Sequence, residues 1–139
     1  MAEVSVKIKG LKKVNESLDR LKRFLKKPEP FYKNASTLMK KDVLQHFRDE
    51  KGDDNTKWKR SLRAIREHGR TLQNIGDLKR SIQKTSDFFA SVIGTNLGYA
   101  PSHNYGLKGM PERRFLWLSK SAGEKIRSLM IKHIGKQLK

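Results

Sequence analysis

Two helical apolar stripes, separated by Pro28-Glu29-Pro30, fill most of the first third of this chain and constrain what can follow. Leu11, Val14, Leu18, Leu21 and Leu25 recur at three- and four-residue steps, the repeat of one face of an amphipathic helix. Lys12, Lys13, Arg20, Lys22, Arg23, Lys26 and Lys27 clothe its other side. Proline lacks a backbone N–H, so the Pro28-Glu29-Pro30 break ends one helix and can open the next. Phe31, Ala35, Leu38, Met39, Leu44 and Phe47 carry the second stripe to about Arg48. Only 35% of the residues are apolar, below the roughly 45–50% of ordinary globular domains. The two helices therefore take most of one modest core.

The remaining patterns are shorter. Val4, Val6 and Ile8 alternate with polar residues up to Gly10, which predicts a half-buried N-terminal strand. Ser81 to Thr95 predicts a hairpin turning at Ser86-Asp87, with Phe88, Ala90 and Val92 alternating against Phe89, Ser91 and Ile93. Tyr99 to Tyr105 reads as a short helical or irregular piece, Gly106 to Pro111 as a loop and Arg113 to Leu118 as a strand. Ser121 and Glu124 form a capping-box pattern. Ile126, Leu129, Met130, Ile134 and Leu138 then mark a C-terminal helix. The expected fold is α+β, a single domain over residues 1–139: a small, mostly antiparallel sheet packed by long N- and C-terminal helices.

Between these elements, residues 49–70 lose apolar periodicity around Gly52, Asp53 and Asn55 and read as a mobile basic loop, with a short helix near Ser61 to His68 closed by Gly69 or Gly76. Lys57, Lys59, Arg60, Arg63 and Arg66 cluster there around a lone aromatic, Trp58. The whole chain carries 32 Lys and Arg against 14 Asp and Glu, a formal charge of +18. Such a charge repels itself in a small subunit and favours an acidic partner. The five basic residues are the candidate partner-facing set. DNA contact there would be non-specific, because phosphates carry no base information, and Trp58 could stack on a base.

Enzymatic chemistry finds no footing in the residues. Cysteine is absent, so there is neither a disulfide framework nor a thiolate metal site. His46, His68, His103 and His133 are widely spaced, with no helical i, i+4 pair to hold a metal. No glycine loop has phosphate-binding spacing, and no Ser-His-Asp set is brought together by sequence. No catalytic, cofactor or metal residue is assigned. The N-terminus lacks the pattern of a signal peptide, and no apolar run approaches the roughly 18 residues of a membrane span.

The second half carries a more specific signal. Trp58 is followed by Thr71-Leu72, then Ile75-Gly76-Asp77-Leu78 and Ser81-Ile82. Next come Val92-Ile93-Gly94-Thr95-Asn96, Tyr99-Ala100 and His103-Asn104-Tyr105-Gly106. Pro111-Glu112-Arg113-Arg114-Phe115-Leu116 and Leu118-Ser119 complete the series. In order and spacing these blocks resemble the phage virion morphogenesis, or tail completion, family over roughly residues 58–138. Asn104 stands where that family usually has Gln, Glu112 and Arg114 where Ala and Pro are common, and Trp117 replaces a small residue. The blocks themselves read as scaffold, with Gly76 and Gly94 supplying backbone freedom.

The resemblance implies a non-enzymatic structural protein of a tailed phage or prophage, acting in tail completion or head–tail joining. Its expected partners are tail or neck proteins and copies of itself in a homo-oligomeric ring, with non-specific DNA contact left open and no membrane. Its expected location is the virion, after assembly in the host cytoplasm. The rival reading is a basic nucleic-acid-binding domain, for which Ser61 to Ile82 can be written as helix, glycine turn, helix.

Overall fold

A computed structural model describes residues 9–88 and 90–138. The expected strand at Val4, Val6 and Ile8, and Phe89 of the expected hairpin, lie outside the described residues. In chain order the elements are α1 (Leu11–Lys26), α2 (Glu29–Asp49), α3 (Leu62–Arg66), α4 (Asp77–Arg80), β1 (Gln83–Ser86), β2 (Ser91–Gly94), α5 (Ala100–Tyr105) and α6 (Lys120–Leu138). The fold is α+β, with one two-stranded antiparallel sheet among the described residues.

The long helix α2 is the spine, and it serves two cores. Its first half gives Phe31 and Ala35 to a cluster with Phe24 of α1, against which Leu21, Ile126, Leu129 and Ile134 pack. Its second half gives Val43 and Phe47 to a cluster with Trp58, Leu78, Ile82, Ala100 and Phe115. Phe47 is fully buried, and burying a phenylalanine contributes about 1.5–3 kcal/mol. The Trp58 ring stands nearly perpendicular to that of Phe47, at 82° and a centroid distance of 5.8 Å.

Helix α1 departs from its expected burial. Phe24, which is not on the five-residue leucine–valine stripe, is the residue that enters the core, with Leu21 beside it. Leu11, Val14, Leu18 and Leu25 remain about half exposed or more. The stripe is real, but within the subunit only its Leu21 position is substantially covered.

The hairpin forms with Gln83 opposite Gly94 and Ser86 opposite Ser91. Ser86 is thus a ladder residue, and the reversal lies later than expected, between Asp87 and Ala90. Asp87 Oδ1 accepts the Ala90 N–H at 2.7 Å while the Asp87 N–H donates to the Ala90 carbonyl at 3.0 Å, which closes this longer turn. Gly94 needs no left-handed backbone, whereas Gly76 does, at φ 80°. The most demanding glycine is Gly106: its φ is 66°, and a Cβ would lie 2.9 Å from the Glu112 nitrogen.

The expected strand over Arg113 to Leu118 is absent, and the reason is chemical. Its backbone is satisfied by side chains instead of a ladder. Asn104 Oδ1 accepts both the Phe115 and the Leu116 N–H at 3.0 Å. Trp58 Nε1 donates to the Arg114 carbonyl at 3.1 Å, and His46 Nε2 donates to the Trp117 carbonyl at 3.0 Å. The helix that follows is capped by Ser119 rather than Ser121: Ser119 Oγ accepts the Ala122 N–H at 3.1 Å.

Candidate functional site

The basic segment is anchored before it is basic. Trp58 is buried, and its backbone N–H donates to the Glu50 carbonyl at 2.7 Å. Its ring is therefore committed to the core and is not available to stack on a base, contrary to one sequence expectation. Lys51 and Lys57 form an isolated antiparallel bridge that brackets the Asp53–Thr56 tip. That tip is also spoken for. Asp53 pairs with Arg114 at 2.6 Å. Asp54 Oδ1 accepts the Thr56 hydroxyl and N–H, which lowers its pKa below the usual carboxylate value.

The five candidate cations divide by what they touch. Arg60 Nη2 donates to the carbonyls of Ala64 and Gly69, at 2.9 and 3.0 Å. Arg63 pairs with Glu67 at 3.1 Å and donates to the Arg70 carbonyl at 2.7 Å. These two tie α3 to the turn after it. The Gly69 N–H donates to the Ala64 carbonyl, and His68 takes the left-handed position at φ 52°, as in a Schellman cap. Lys57, Lys59 and Arg66 are exposed, and no hydrogen bond or ion pair engages their side chains among the described residues. They are the members of the set able to face a partner.

The matched blocks assemble around this segment. Thr71 is buried and donates its N–H to Glu50 Oε1 at 2.6 Å. Leu72 is held at φ 62°, a conformation that costs a bulky residue about 1–2 kcal/mol. Leu78, Ala100 and Phe115 are core. Leu97 and Leu116 pack against that core, and Thr95 Oγ1 lies 2.6 Å from Ser81 Oγ. Asn96 is exposed, Pro111 is half-buried and Gly106 closes α5. Tyr99 stands edge-on to His103 at 5.9 Å.

Three of the departures from the family pattern are physically explained. Arg114 bridges Glu112, at 2.9 Å, and Asp53, which raises its pKa. Trp117 lies flat on His46 at 3.9 Å. Asn104 is the acceptor for the extended segment. His46 is thus a packed histidine. Sequence reasoning missed Asp42, whose two oxygens accept the Ser119 hydroxyl and N–H at 2.6 and 2.7 Å. The clue was an Asp42–His46 pair one helical turn apart on α2. Ser119 donates to Asp42 rather than to the imidazole.

A concavity of about 340 Å³ opens beside α3 and α4, lined among others by Arg63, Leu72, Ile75, Tyr99, His103 and Arg113. Arg113 Nε donates to the Lys59 carbonyl at 2.7 Å and its backbone N–H to the His103 carbonyl at 2.8 Å. Burial pushes the His103 pKa down, with the neighbouring Arg113 charge adding to it. No metal-holding cluster of His, Cys, Asp and Glu occurs among the described residues. No helix among them is long and apolar enough to cross a membrane.

Comparison with known proteins agrees with the block pattern and extends it. Residues 9–135 match the phage virion morphogenesis family, so the match includes α1 and α2 as well as the later blocks. No curated protein and no solved structure matches the chain.

Proposed function

We propose, since this chain belongs to the phage virion morphogenesis family and acts in virion assembly, that its specific task is tail completion or head–tail joining as a non-enzymatic structural subunit. The observation that carries this reading is the uncovered face on α1 and α6. Leu18 is 49% exposed, Leu25 61% and Ile131 60%. Apolar side chains gathered along helices mark surfaces that another protein covers. A homo-oligomeric ring is the simplest closed assembly of identical subunits, and neighbouring tail or neck proteins supply the remaining contacts. Assembly takes place in the host cytoplasm, and the product resides in the virion.

Lys57, Lys59 and Arg66 supply the outward charge for non-specific DNA contact where the genome passes. The rival reading, an independent nucleic-acid-binding domain, is weakened by the local geometry. Helices α3 and α4 have five and four residues, too short for a recognition helix that reads a groove. Deleting the gene and imaging the particles tests the proposal. Tailless heads beside free tails support joining, and tails of abnormal length or with frayed ends support completion. Normal infectious virions would contradict both.

A further inference from the structure

Arg113 is only 6% exposed, yet no carboxylate pairs with it among the described residues. Among those residues its one side-chain hydrogen bond is from Nε to the Lys59 carbonyl. A guanidinium has five N–H donors, so its two terminal amino groups, which bond no protein acceptor among the described residues, still reach solvent. In the free subunit water is therefore their partner, and an anion that reached them would meet a charge with no protein counter-ion. Other residues in the same wall do not relieve it. Asp77 pairs with Arg80 at 2.7 Å. Arg63 is another cation, and its own charge is met by Glu67. His103 Nδ1 is buried with no hydrogen-bond partner among the described residues. The rim carries Ile75, 67% exposed, and Tyr99, 46% exposed, beside exposed Asn74 and Asp77.

We infer that this concavity is a seat for one side-chain carboxylate, an Asp or Glu flanked by apolar residues, presented by a protein partner. A carboxylate accepts the two terminal amino groups of an arginine as a forked pair. A largely buried Arg beside exposed Tyr and Ile has the composition of an interface hot spot. A carboxylate on a methylene stem reaches past that rim, whereas the continuous charged backbone of DNA would have to desolvate against Ile75 and Tyr99. The seat is independent of the assembly role: the binding test can fail while the deletion phenotype stands, and the reverse.

The test is an NMR titration of the full chain, following the Arg113 Nε–Hε and His103 ring resonances. The probes are a capped Leu-Glu-Leu peptide, its Leu-Gln-Leu analogue, inorganic phosphate and a short DNA duplex. The Glu peptide shifts both resonances saturably, and the Gln peptide binds at least about tenfold more weakly, as expected when a buried charge pair loses one partner. Arg113→Gln abolishes the response. Because Arg113 is buried and its loss can unfold the chain, Ile75→Asp is the second variant. It places a repelling carboxylate on the exposed rim, keeps the fold and weakens the Glu peptide about tenfold. Equal binding of the two peptides, no saturable shift, or a response to phosphate or DNA but not to the Glu peptide overturns the assignment.

Discussion

The two cores on α2 are built to different degrees of completion. Around Phe47, Trp58 and Phe115, apolar surface is enclosed and the surrounding backbone is bonded by Asn104, Trp58 and His46. Around Phe24 and Phe31 the enclosure stops halfway along α1, and Leu11, Val14 and Leu18 stay in solvent. Both regions follow the same rule, that apolar stripes seek cover. The first finds its cover inside the subunit. The second is completed, on the assembly reading, by neighbouring proteins. On that reading the contrast separates residues that hold the fold from residues that contact neighbours.

The largest effect that can break this contrast is at the inner core. Phe47→Ala leaves a cavity among Trp58, Ile82 and Phe115, and should cost about 3–5 kcal/mol in a denaturant titration. A loss under 1 kcal/mol would mean that the inner core is not the stabilising one. Next is Asn104→Ala, which orphans the Phe115 and Leu116 N–H groups, at about 1–3 kcal/mol per buried unsatisfied group. If this variant melts with the parent, the side-chain substitute for a strand ladder is not holding the segment. Gly106→Ala follows, at about 1–3 kcal/mol, because the added Cβ meets the Glu112 backbone. An unchanged melting temperature would show that the loop relaxes freely.

Hydrogen exchange sharpens the contrast within residues 49–70. The Asp53–Thr56 tip should exchange fast and the Trp58 N–H, bonded to the Glu50 carbonyl, slowly. Uniformly slow exchange would contradict the mobile tip, and uniformly fast exchange would contradict the tryptophan anchor.

The long helices were readable from sequence because their stripes repeat over several turns. The α2 stripe found the core, as did Ile126, Leu129 and Ile134 of α6, although Met130 stays exposed and Val43 and His46 joined the core unannounced. The region over Arg113 to Leu118 misled because Phe115, Leu116 and Leu118 carry the apolar content of a strand. Its true partners, Asn104, Trp58 and His46, are polar or aromatic side chains from other parts of the chain. Spacing rules do not register such bonds. The basic segment misled for a related reason. A single aromatic in a charged run has no period, so burial of Trp58 by Phe47 and its bond to the Arg114 carbonyl left no local trace. The five-residue basic cluster was visible as charge, but Arg60 and Arg63 turned inward to carbonyls that no pattern marks. Arg113 was visible only as part of a family block, and its missing counter-charge emerged from the packing.

The smallest effect on stability is expected where the largest effect on assembly lies. Val14→Glu with Leu18→Glu changes two exposed positions, and surface changes of this kind usually stay within about 0.5 kcal/mol each. The direct measurement is to place this double variant in the phage and count infectious particles, alongside a melting curve of the purified protein. The account predicts a subunit that melts close to the parent and a particle yield that collapses. A normal yield from the folded variant would contradict it, because the α1 face would then have no neighbour in the virion.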